Sequence, residues 1–75
     1  MRLYVMPRQK NRPGFIFELK EEKDKSSTEL VQLAQTALKQ IEEKKYDTEM
    51  VAHGIKTIVK YGVAFSGKMV ELAMA

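Results

Sequence analysis

An α/β fold is predicted for this chain, with elements in the order β-β-α-(short α)-β-β and the last two strands closing as a C-terminal hairpin. Three observations predict it. Gly14 to Lys20 alternates as a strand does; Leu30 to Ile41 repeats its apolar residues at helical spacing; and a second long β-like run, Ile55 to Phe65, is followed by the turn pair Ser66-Gly67. At 75 residues the chain has room for one domain with a small core.

Element by element, Leu3 to Met6 is a short apolar and aromatic run that stops at Pro7, as a strand would, and Pro7 to Pro13 reads as a polar loop. From Gly14, period-2 geometry places Phe15, Phe17 and Leu19 on one face and Ile16, Glu18 and Lys20 on the other. The charged run Glu21 to Lys25 connects this strand to a helix. Ser26 with Glu29 three residues later fits a capping box, and Leu30, Leu33, Ala34, Ala37, Leu38 and Ile41 then form one apolar stripe. Lys44 and Lys45 suit the negative end of that helix. Asp47 or Thr48 is positioned to cap a short second helix, with His53 at its end and Gly54 as its left-handed exit. In the run from Ile55, alternation puts Ile55, Thr57, Val59, Tyr61, Val63 and Phe65 together, opposite Lys56, Ile58, Lys60, Gly62 and Ala64; Met69 to Met74 returns beside it.

Composition narrows the function classes. There is no cysteine, so disulfides and thiolate metal sites are excluded, and a reducing, cytoplasmic setting is the expectation. No apolar run approaches the ~20 residues of a membrane span. A single histidine argues against zinc, and no Gly-rich phosphate loop or Ser-His-Asp set is present. The net charge of +3 is modest, but no acidic residue precedes Glu18, which leaves Arg2, Arg8, Lys10 and Arg12 as an unbroken positive segment. Arg8, Lys10 and Arg12 suit phosphate contacts if the loop lines a groove; the alternative is a solvated basic loop.

Glu18-Leu19-Lys20 is the constellation that carries chemistry. Residues i and i+2 of a strand project from one face, so a carboxylate able to ligate Mg²⁺ and a lysine able to assist an attacking water meet the same space. Alternating acid and base on a solvated strand is the structural alternative. Gln40 lies at the edge of the helical stripe, and Tyr46 and Tyr61 read as core or interface residues.

Together the blocks Gly14–Lys20, Ala37–Tyr46, Gly54–Lys56 and Lys60–Lys68 resemble the PD-(D/E)XK nucleases found as C-terminal domains of bacterial proteins with an upstream AAA-ATPase-like domain. The likeness spans residues 2 to about 70, and it implies a restriction-endonuclease-like core. It implies Glu18 as metal ligand, Lys20 as catalytic lysine and Gln40 as auxiliary, with Mg²⁺ as cofactor. The Gln-x-x-x-Tyr spacing of some relatives is not met, since position 44 is lysine. The chain also departs from the pattern where the family places an aspartate on the preceding strand: residues 1–17 hold no Asp or Glu, and Arg2 falls near that position. Residues 1–75 are therefore expected to form a single truncated nuclease-like domain, lacking an upstream helix and strand, with an incomplete metal site. Two alternatives stand beside it: a Mg²⁺-dependent nuclease completed by a partner chain, and a non-catalytic module that binds nucleic acid or protein. Uncovered strand edges and apolar faces add the expectation of a homodimer.

Overall fold

A computed structural model describes residues 1–75. Its elements are β1 (Arg2–Val5), β2 (Gly14–Glu21), α1 (Ser27–Glu43), α2 (Thr48–Ala52), β3 (Ile58–Ser66) and β4 (Met69–Met74). The strands make one mixed sheet in the order β1-β2-β3-β4, with β2 and β3 parallel at the centre and antiparallel strands outside. The predicted α/β order is the observed one. A parallel pair needs a long crossover, and here the connection from Glu22 to Thr57 carries both helices.

Helix α1 begins where its capping box forms. The Ser26 hydroxyl accepts from the Glu29 N–H at 3.2 Å, and the Glu29 carboxylate accepts from the Ser26 N–H at 3.0 Å. Leu30, Ala34, Ala37 and Ile41 of its stripe are buried against the sheet. Its C-terminus is a Schellman turn: the Tyr46 N–H reaches the Ile41 carbonyl at 3.3 Å, Lys45 takes φ +52°, and the Tyr46 side chain packs on the cluster containing Ile41. This turn requires the left-handed conformation at a residue that carries a Cβ.

The covered face of the sheet is the one bearing Ile16, Glu18, Lys60, Gly62 and Ala64. At Gly62 the helix backbone lies directly on the strand: an added Cβ would overlap the Ala34 carbonyl and stand 2.7 Å from the Leu38 nitrogen. Two apolar clusters result. One joins Ile16, Ile41, Met50 and Ile55, and the other joins Leu30, Ala34 and Ala64.

Three sequence expectations shift in detail. Strand β3 starts at Ile58, three residues later than its alternation suggests, and Ile55 is buried on the helix side instead of sharing a face with Val59. The cause is local: Gly54 exits α2 at φ +82°, and the Ile55 N–H is taken by the Met50 carbonyl, so the backbone is not yet extended. The hairpin loop is Gly67-Lys68, because Ser66 pairs with Met69 and Gly67 adopts φ +58°. Asp47 occupies the N-cap position of α2 without a side-chain cap bond; its carboxylate lies 3.4 Å from the Lys60 ammonium instead. His53 and Gly54 end α2 as expected.

Candidate functional site

Glu18 sits in mid-sheet, and the register places Arg2 beside it on β1 and Gly62 on β3. The absence of a side chain at Gly62 lets α1 close over that side, so the Glu18 side chain is only 10% exposed. A buried carboxylate needs a partner, and Arg2 supplies it: Nε donates to Glu18 Oε1 at 3.0 Å. The chain's amino group stands 3.7 Å from Oε2 and donates to the Leu19 carbonyl at 2.8 Å.

The guanidinium is held from three directions. Beyond Glu18, its Nη1 donates to the Tyr4 hydroxyl at 3.5 Å, and its carbon lies 3.3 Å from the centre of the Tyr46 ring. The Tyr4 bond is the main influence raising the Arg2 pKa above its ordinary value; burial opposes it, and Glu18 adds to it. Tyr46 reaches this position because the Schellman turn after α1 folds it back toward the sheet. Sequence reading expected Arg2 near the family's aspartate position, on the resemblance alone. It missed the stacking on Tyr46, since no local pattern links residues 2 and 46.

Lys20 lies two residues beyond Glu18 on the same face, half-buried, opposite Ala64, and it makes no ion pair. Gln40 is half-buried on α1 immediately before Ile41; its carbonyl accepts the Lys44 N–H at 3.0 Å and its side chain makes no hydrogen bond. The sheet thus brings Glu18 and Lys20 to one face, whereas Gln40 joins them through no bond. Two other acids border this face, and both are engaged: Asp47 with Lys60, and Glu71 as acceptor of the Ser27 hydroxyl at 2.9 Å. No group of three or more His, Cys, Asp or Glu side chains gathers anywhere in the molecule.

Arg8, Lys10 and Arg12 occupy the β1–β2 loop, all exposed and none ion-paired. The Lys10 stem lies over Gly54, so the loop leans on the exit of α2. No helix is long and apolar enough to cross a membrane.

No curated protein and no solved structure matches the chain. Residues 2–74 do match one family profile, described as the PD-(D/E)XK nuclease superfamily. The match takes in β1 with Arg2, the Glu18-Leu19-Lys20 strand, both helices and the hairpin, nearly the whole chain. On that extent, this chain belongs to the PD-(D/E)XK nuclease superfamily.

Proposed function

We propose that this domain keeps the nuclease fold without nuclease chemistry of its own, because an arginine neutralises the carboxylate that would anchor the metal. One observation carries the reading: Arg2, directly opposite Glu18 in register, donates to its Oε1 at 3.0 Å. Superfamily nucleases generally use Mg²⁺, an ion that takes oxygen ligands and gains affinity with each added carboxylate. The residues present do not fit it. Glu18 is one carboxylate, one of its oxygens already accepts from a cation, and a guanidinium at this distance repels a second positive charge.

Paramagnetic titration tests this reading. With Mn²⁺, wild-type backbone signals of residues 16–20 should show no localised broadening. Arg2→Asp places a second carboxylate across the strand pair, where opposite Cβ atoms are about 5 Å apart, and should acquire broadening that Glu18→Gln abolishes. Wild-type broadening lost in Glu18→Gln, together with cleavage lost in Glu18→Ala and Lys20→Ala, would favour the partner-completed nuclease.

The unpaired cations Arg8, Lys10 and Arg12 favour a second reading, contact with a nucleic-acid backbone. Such binding would need no metal and would weaken steeply with salt. Replacing any one of the three by alanine should lower the slope of log K against log salt by about 1.

A further inference from the structure

The sheet has two faces and the chain covers one. On the uncovered face the register aligns Leu3 and Val5 with Phe17 and Phe15, and continues through β3 to Leu72 on β4. Phe17 stacks on Tyr61 with ring centres 5.1 Å apart, yet both rings stay half-exposed, and Leu72 is 61% exposed. Val5, Phe15, Phe17, Tyr61 and Leu72 line a shallow apolar groove across all four strands. Sheets with parallel strands at their centre are ordinarily covered on both faces. The short axis of 17 Å holds only two layers, the sheet and α1.

We propose that a second copy of this chain covers the open face, sheet against sheet. Four strands about 4.8 Å apart and about 20 Å long present roughly 600 Å² of accessible surface once side-chain relief is included, so two copies would remove about 1,200 Å². That is the lower edge of a standard stable interface. A nearly uniform apolar face is complementary to itself, and its one charged side chain selects the arrangement. Glu21 projects from the open face at the end of β2, and the loop carrying Arg8, Lys10 and Arg12 lies at the strand's other end. A twofold axis crossing the strands near Phe17 brings Glu21 of one copy to the level of Pro13 in the other, beside that basic loop. An axis along the strands would instead bring the two basic loops together. The crossing arrangement therefore has the favourable charge pairing.

Sedimentation equilibrium of the full chain from micromolar to millimolar concentration tests this. Wild type should reach twice the monomer mass. Leu72→Lys, at an exposed position that leaves the covered core untouched, should remain monomeric with an unchanged far-UV spectrum. Glu21→Lys should dimerise less well, and the deficit should shrink at high salt. A wild-type monomer throughout the range would overturn the proposal, including a monomer whose groove takes up an apolar peptide. A dimer indifferent to Leu72→Lys would overturn it as well, placing the contact on a strand edge.

Discussion

The two faces of this sheet invert the usual assignment of polarity. The face under α1 carries Arg2, Glu18, Lys20, Lys60 and Glu71, whereas the face without a helix is apolar or aromatic apart from Glu21. Each closely covered ion is matched to a partner or kept at the rim: Glu18 to Arg2, Lys60 to Asp47, Glu71 to Ser27. No buried side-chain nitrogen or oxygen lacks a hydrogen bond. The difference teaches where each kind of interaction works. Charges gain from a low-dielectric cover only when paired; apolar side chains gain from any cover at all.

The contrast can be broken most forcefully at Gly62. Gly62→Ala drives a Cβ into the backbone of α1, which cannot move without lifting the helix, and should destabilise by about 3 kcal/mol or more in urea unfolding. Gly14→Ala should cost much less, since its Cβ meets the flexible Met50 thioether at 2.9 Å. On the same covered face, fully buried Ile16 changed to alanine should cost about 2–5 kcal/mol. Val70→Thr on the open face should stay within about 0.5 kcal/mol for the monomer, because Val70 is 56% exposed.

Smaller effects sharpen the account of the helix that makes the cover. Ser26→Ala should cost about 1 kcal/mol by removing the N-cap acceptor. Lys45→Gly should stabilise by about 1 kcal/mol, relieving a left-handed residue at the Schellman turn. Its thermal midpoint should therefore rise.

The capping carboxylate adds a pH dependence. Glu29 is held below the ordinary glutamate pKa, first by the Ser26 backbone N–H, then by the Ser26 side chain and the nearby Lys25 charge. A depressed folded pKa means stability that is present above the unfolded value and lost as pH falls through the folded one. Urea midpoints should drop from about pH 5 downward. Part of that drop should disappear in Glu29→Gln.

Local chemistry made much of this molecule legible in advance. Ser26 and Glu29 are three residues apart, and a capping box needs only that spacing, so the start of α1 was readable. Alternation in Gly14–Lys20 likewise assigned Glu18 and Lys20 to one face before any fold was known. Ile55 misled the same logic, since alternation is informative only where the backbone is extended, and the Met50 carbonyl bond to Ile55 delays that extension.

By itself, then, the sequence determined the order of the elements, the capping box of α1, the faces of β2 and the absence of an acid before Glu18. Those depend on residues within a few positions of one another, where covalent geometry restricts the choices. Only the tertiary structure decided which face α1 covers, that Arg2 rests between Glu18 and the Tyr46 ring, and that Lys60 draws Asp47 away from capping. Each of these joins residues at least 13 positions apart. Their meeting depends on how closely the helix packs on the sheet at Gly62, which no local pattern along the chain records.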